Sequence, residues 1–311
     1  MKGDRILYLI CGYATISRMK TLLFIYNPRA GKGSIGSHIG GIVDTFTKAG
    51  YRVTVYPTQC QGDGEVIAAG WARDFDRVVC AGGDGTLDEI VTGVMSASVN
   101  IPIGYIPTGS TNDFARSIGL PRTVRKASAV AVSDRLFRCD LGKFNSRYFV
   151  YVAAFGLFTD VTYETDQNLK NVFGYSAYVA EAARRLPSAR SIPLRITYDG
   201  NVITDSFLVG LISNSDSVGG MKSLPGPDVK LDDGIFEVML IRSPDNILEL
   251  NMIAPAIIDH RIRSGNVIRF KCSSIMIESD EPIPWNLDGE FGGMVDRAVV
   301  ENVHEAVEFV V

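Results

Sequence analysis

Carboxylates set among glycines recur at two places in this chain, Gly82-Gly83-Asp84-Gly85-Thr86-Leu87-Asp88-Glu89 and, near the end, Asp288-Gly289-Glu290. Glycines without side chains let polyphosphate oxygens reach backbone N–H groups, and a helix starting there adds partial positive charge. Asp84 runs against that chemistry. A carboxylate inside a phosphate loop repels the ligand unless a divalent cation lies between them, so the pairing points to a nucleotide together with Mg²⁺. Asp288, at a turn, is a candidate general base that could take a proton from a substrate hydroxyl; an ordinary tight turn is the alternative.

Two further polar loops leave strand-like runs. Asn27-Pro28-Arg29-Ala30-Gly31-Lys32-Gly33-Ser34 lacks the GxxxxGK[ST] spacing of a Walker A loop. It reads either as a helix-capping loop or as a second phosphate-facing lip. Pro107-Thr108-Gly109-Ser110-Thr111-Asn112-Asp113-Phe114-Ala115-Arg116 is the next. Three strands of one sheet ending in glycine-and-polar loops at one edge is what a nucleotide cleft requires. Asp140, at the end of the run Arg135 to Leu141, reads as a turn residue or as part of a carboxylate network around a cation. Lys230-Leu231-Asp232-Asp233-Gly234-Ile235 reads as a turn, with hard-cation ligation as its alternative.

The elements that must position these residues follow from periodicity. Thr21 to Tyr26 and Val78 to Ala81 are near-continuous apolar runs, as in strands buried on both faces of a parallel sheet. Ile35, Ile39, Ile42, Val43 and Phe46 recur at helical spacing, and a short strand, Tyr51 to Tyr56, precedes a helix from about Asp63 to Trp71. Strand alternating with helix predicts a doubly wound nucleotide-binding α/β domain over 19–142. From 143 to 301 strand-like runs follow one another directly, with Asp199-Gly200 as a hairpin turn and helices around Tyr175 to Leu186 and Asp245 to His260. This predicts a mostly antiparallel β-sandwich domain, whose apolar faces form either a core or a crevice for an acyl chain, with a cleft between the two lobes. Residues 302–311 are expected to return to the first domain as a short helix and strand, and 1–18 to be an extension dispensable for the fold.

Composition sets bounds. The chain has 311 residues, 46% hydrophobic and 21% charged, with a net charge of −4. That balance offers nothing to attract nucleic acid. Five cysteines, at 11, 60, 80, 139 and 272, never fall in CxxC spacing and read as free thiols of a reducing cytoplasm. His38, His260 and His304 lie far apart in the chain and suggest no metal site. No apolar run approaches the roughly 18 residues that span a bilayer.

With GGDGTLDE, PTGSTNDFAR, KLDDG and LDGE in this order, the chain from Met19 onward resembles the soluble bacterial diacylglycerol kinase family, related to sphingosine kinases and more distantly to NAD kinases. The resemblance implies an ATP- and Mg²⁺-dependent lipid kinase that phosphorylates the primary hydroxyl of diacylglycerol or a related lipid, giving a product such as phosphatidic acid. It also implies a residue map. Asn27, Pro28, Arg29, Ala30, Gly31 and Thr58 would line the ATP site, and Gly83, Asp84, Gly85, Thr86, Leu87, Asp88 and Glu89 would carry the phosphates. Asp84 would meet Mg²⁺ through water. Ser110 would touch nucleotide, with Asn112, Asp113 and Asp140 in a polar network behind the metal. Lys230, Asp233 and Ile235 would hold a second, structural Mg²⁺. Asp288 would be the base, and Glu290 would lie close to the nucleotide. A cytoplasmic protein working peripherally on a membrane-surface lipid, and a homodimer, are further implications; Arg184 and Arg185 are candidates for the docking face. The chain departs from the family pattern at Asp88, where Asn is usual, at Ala30 for Ser, and at Gly109-Ser110 for Gly-Thr. A soluble-substrate kinase of the NAD kinase type and a non-catalytic nucleotide- or lipid-binding module are the alternatives.

Overall fold

The computed structural model describes residues 18–31, 33–110, 112–156, 190–218, 221, 222, 224, 226, 228–258, 262 and 264–311. The N-terminal extension up to residue 17, Cys11, Lys32, Thr111, the helix expected around Tyr175 to Leu186 with Arg184 and Arg185, and His260 lie outside them.

The first half alternates strand and helix: β1 (Lys20–Tyr26), α1 (Ile39–Lys48), β2 (Tyr51–Pro57), α2 (Asp63–Trp71), β3 (Arg77–Gly82), α3 (Asp84–Ala97), β4 (Ile103–Pro107), α4 (Asp113–Ser117) and α5 (Val124–Val130). The strands lie in the order β2-β1-β3-β4, all parallel. Leu22, Leu23, Phe24 and Ile25 are each 0% exposed. Alternation along β1 splits them between two cores: Leu22 and Phe24 pack with Ile42 and Phe46 of α1, Leu23 and Ile25 with Ile67 of α2 and Ile90 and Val94 of α3. Helices on both faces are what an unbroken apolar strand needs.

The second half is strand after strand: β5 (Leu136–Phe144), β6 (Arg147–Phe149), β7 (Val152–Gly156), β8 (Ile192–Tyr198), β9 (Asn201–Ser213), β10 (Ser217–Val218), β11 (Met221–Lys222), β12 (Phe236–Arg242), then α6 (Ile247–Ile258), β13 (Val267–Cys272), β14 (Ser274–Leu287) and β15 (Glu290–Val310). The β8–β9 turn takes Asp199 and Gly200 through positive φ, at 45° and 77°, as a two-residue hairpin requires. Phe144, Phe149, Phe155, Phe207, Phe236 and Trp285 fill its core. Burying each such side chain contributes about 1.5–3 kcal/mol.

The end of the chain differs from the expected helix and strand. β15 is one strand of 21 residues. Its first part pairs with β14, and its last part pairs antiparallel with β5 and, through Phe309, parallel with Ile103 of β4. Partners on both edges keep the backbone extended, and a bulge between Val303 and Val307, with Glu305 at φ 48°, absorbs the change of direction. Through β15 the parallel strands and the antiparallel strands become one hydrogen-bonded sheet.

Candidate active site

β1, β2, β3 and β4 all end at the same sheet edge, and their exits enclose a cleft of ≈ 610 Å³. Asn27, Arg29, Ala30, Gly31, Thr58, Gly83, Gly85, Thr86, Asp88, Glu89, Ser110 and Glu290, all marked in the sequence, line it. The ladder continues past the strand ends: Asn27 N donates to Ala81 O (2.9 Å), Thr58 N to Tyr26 O (2.9 Å) and Thr108 N to Gly82 O (2.8 Å). Side chains then clamp the loops to α3. Asn27 Nδ2 donates to Thr86 Oγ1 (3.3 Å), and the Glu89 carboxylate accepts from Gly62 N (2.8 Å) and Gly64 N (3.1 Å). Asn112 folds back on its own turn, accepting from Gly109 N and donating to Gly109 O. A Cβ on Gly109 would lie 2.5 Å from Gly83 Cα, so these two loops touch backbone to backbone.

α3 begins at Asp84, immediately after Gly83. The Asp84 side chain accepts from Asp113 N (3.2 Å), while its Oδ1 is buried without a partner. Burial, and then the Asp113 charge, push the Asp84 carboxyl up to about 7. Asp113 is 1% exposed and its Oδ1 accepts from Ser217 Oγ (2.6 Å), which ties β10 to α4.

Asp288 sits at the β14–β15 hairpin with φ 52° and is 4% exposed. Gly289 N donates to Asn286 Oδ1 (2.8 Å) and Asp288 N to Val152 O (2.9 Å), which fixes this turn. Three successive amides converge on its carboxylate, Val150 N on Oδ2, and Tyr151 N (3.0 Å) and Val152 N (2.9 Å) on Oδ1. Burial raises its proton affinity and these three bonds oppose the rise. Burial, and then the Asp288 charge, push the carboxyl of Asp88, on α3, well above the usual carboxylate range. Asp84 feels the Asp288 charge, and Tyr151 feels Asp84, Asp88, Asp113 and Asp288 together. The glycine loop of the first half and the late hairpin thus meet at one place.

Other marked residues fall elsewhere. The Asp140 carboxylate accepts from Gly234 N (2.6 Å) and Glu305 N (2.7 Å) and pairs with His304 Nδ1 (2.9 Å). It fastens the Lys230–Ile235 turn to β15 because β5 runs between them. In that turn Asp233 Oδ1 accepts from Ile235 N (3.2 Å), and among the described residues no trio of Asp, Glu, His or Cys gathers as a metal would need. Leu87 points into the core rather than the cleft, as the helical period demands one turn after the glycines. Gly82, expected to bare its backbone to phosphate, is instead covered, since a Cβ there would lie 2.4 Å from Thr86 Cβ. Pro28 is not part of the lining.

The chain matches two family models: the diacylglycerol kinase catalytic domain over residues 21–144 and the YegS C-terminal NAD kinase beta sandwich-like domain over 152–310. The diacylglycerol kinase of Bacillus subtilis (strain 168) is 34% identical over 279 residues, covering 89% of this chain and 92% of the relative. That of Staphylococcus haemolyticus (strain JCSC1435) is 37% identical over 276 residues, covering 88% and 83%. This chain belongs to the diacylglycerol kinase family. It is a phosphotransferase with an alcohol group as acceptor. A solved diacylglycerol kinase structure from Bacillus anthracis (strain Sterne), 23% identical, shares the fold with a TM-score of 0.73 over 94% of this chain and 97% of its own. Another structure from that strain superposes with a TM-score of 0.80 at 25% identity, over 94% and 98%.

This diacylglycerol kinase family member also lines its cleft with Gly109 of the marked β4 exit, and with Gln59, Cys60, Gln61, Gly62, Glu65 and Arg147, none of them marked in the sequence as site residues. Gln59 to Gly62 follow Thr58, and the glycine before a helix was a usable signal. Arg147 had none, because it lies on the short strand β6 and reaches the cleft only through the β5–β6 fold-back. Gln61 Nε2 donates to Glu290 Oε2 (3.3 Å) across the mouth, joining the two halves. A second cavity of ≈ 600 Å³ adjoins at Ser110 and carries Asn112, Arg116, Arg122 and Leu120. Among the described residues no helix is long and apolar enough to cross a membrane.

Proposed function

We propose that this enzyme transfers the γ-phosphoryl group of ATP, with Mg²⁺, to the primary hydroxyl of diacylglycerol or a closely related lipid, producing a phosphatidic acid. The observation that carries the reading is a cleft built from four glycine-bearing strand exits and lined by Asp88, with Asp84, between the lining residues Gly83 and Gly85, feeling the charge of Asp288, in a chain of the diacylglycerol kinase family. The backbone amides at the start of α3 suit the triphosphate. Arg29 and Arg147 offer charge-assisted bonds at the cleft's rim, though Glu65, Glu89 and Glu290 line it too.

That acidic lining makes a bare polyphosphate a poor ligand and a magnesium complex a good one. The unpartnered, buried Oδ1 of Asp84 fits an ion held through a water. When bound, Mg²⁺ supplies neutralisation of the phosphate charge. In the Lys230–Ile235 turn two carbonyls and the second oxygen of Asp233 would be left for a structural cation, in a turn that Asp140 already fastens. Asp288, aimed by three amides, would accept the proton of the acceptor hydroxyl as the oxygen attacks phosphorus in line, while Gln61 and Glu290 hold the mouth of the cleft. Because the acceptor resides in a bilayer, the reading carries with it a peripheral membrane encounter in the cytoplasm, by a monomer or a homodimer.

Radiolabelled ATP offered with diacylglycerol in mixed micelles, with other lipid alcohols and with NAD tests this. Mg²⁺-dependent label in phosphatidic acid, lost in Asp288→Asn, is the expected result. Label in NAD alone, or in none of the acceptors, overturns it.

A further inference from the structure

Among the described residues the lining of the cleft carries the carboxylates of Glu65, Asp88, Glu89 and Glu290 and the guanidinium groups of Arg29 and Arg147. Arg29 stands at the β1 exit, whereas Arg147 comes from the other half of the chain, on β6. Arg147 is exposed, and its Nη1 donates to Phe291 O (3.3 Å). Among the described residues it forms no ion pair, although carboxylates share its cleft, so its charge is open to an entering anion. We propose that Arg147 is a catalytic residue supplied by the second half, whose guanidinium binds the γ-phosphoryl group of the nucleotide and holds it as it passes to the acceptor. The proposal deepens the reaction proposed above and rests on it.

Placement decides which phosphate Arg147 meets. β6 packs against α3, the helix that opens in the glycine loop, and its backbone is locked to β5, with Arg147 opposite Phe144. Three residues further on, Val150 N begins the set of amides that aims Asp288. At its other end the guanidinium fastens Phe291, three residues after Asp288. Backbone and side chain thus tie Arg147 to both segments that hold the proposed base. The same hairpin closes on the glycine loop: Glu290 Oε1 lies 3.3 Å from where a Cβ on Gly85 would stand. The phosphate beside the base is the one that is transferred. As the acceptor oxygen bonds to its phosphorus, the bond to the β,γ-bridging oxygen breaks, the electron pair stays with ADP and the hydroxyl proton goes to Asp288. The transferring oxygens are negative throughout, between acidic walls. A planar guanidinium gives two of them parallel N–H bonds and stays charged at every working pH.

The test uses the full-length protein, titrated with ATP and with ADP in the presence of Mg²⁺ and no acceptor, then assayed with diacylglycerol in mixed micelles. ADP lacks the group that Arg147 meets. Arg147→Gln, a neutral donor, is expected to weaken ATP binding about tenfold and ADP binding less than about twofold. Its kcat is expected to fall about 10²–10³-fold, the scale for one donor removed from developing charge. Arg147→Lys keeps the charge without the fork and is expected to lie between wild type and Arg147→Gln in both readings. An Arg147 that only holds Phe291 in place would move ATP and ADP alike. An Arg147→Gln protein with the wild-type preference for ATP over ADP, or with the wild-type kcat, overturns the proposal. If that variant does not fold, Arg147→Lys decides in its place, and wild-type behaviour in either reading overturns the proposal. If the preference for ATP is lost as expected while no acceptor is ever phosphorylated, the phosphate contact stands and the proposed reaction fails.

Discussion

Asn27 Nδ2 donates to Thr86 Oγ1 at 3.3 Å, joining the exit of β1 to the first turn of α3. The same Asn27 accepts from Arg29 N (2.8 Å), so one side chain shapes its own loop and anchors it to the phosphate-facing turn. Asn27→Ala removes both bonds, each with a net contribution of about 1 kcal/mol. Affinity for ATP is expected to fall about tenfold, with folding cooperativity retained, as read by nucleotide titration.

Asp288→Asn keeps shape but loses the basic oxygen, and its amide can no longer accept on both sides from Val150, Tyr151 and Val152. The expected outcome is a kcat loss of about 10²–10⁴-fold, the range a general base supplies, with ATP binding preserved. Single-turnover transfer and ATP titration on the same preparation separate the two effects.

Asp84 should show function opposed to stability. Its folded-state carboxyl is pushed up to about 7, whereas the unfolded chain ionises near the ordinary value. Between those two values the native state binds more protons than the unfolded state, so stability falls as pH rises through the window and stays low above it. Asp84→Asn cannot ionise. The variant is expected to melt above wild type at pH 8 and close to it at pH 4, while losing phosphoryl transfer and the stabilisation that Mg²⁺-ATP gives wild type. Thermal melts across pH, with and without Mg²⁺-ATP, measure this.

Gly109→Ala places a methyl 2.5 Å from Gly83 Cα, a clash with backbone that no rotamer relieves. The lips from β3 and β4 must part. A stability loss of about 1–3 kcal/mol in denaturant unfolding and weaker nucleotide binding are expected.

Much of this protein was legible before any coordinates. Leu22 to Ile25 and Val78 to Ala81 announce strands buried on both faces because a chain without polar residues cannot present a wet side. Gly82 to Glu89 announce a strand-turn-helix because glycine, a helix-start carboxylate and apolar spacing all act within a few residues of one another. Asp288 announced itself as a turn residue, and β14–β15 is a hairpin there. The end of the chain misled: residues 302–311 carry a mixed pattern whose helix-and-strand reading is overridden by pairing on both edges of β15.

By itself, then, the amino-acid order determined the strand-to-loop exits, the antiparallel second half and the residue types fit for phosphate, cation and proton chemistry, since these depend on neighbours a turn or less apart. Which of those residues meet was decided by tertiary structure alone. The approach of Glu290 to Gln61 across the cleft mouth, the arrival of Arg147 at the cleft and the anchoring of the Gly234 turn by Asp140 all follow from strand register and from β15 stitching the two halves into one sheet. Register is chosen by the packing of whole faces, and a one-residue slip would send every one of these side chains to the opposite side.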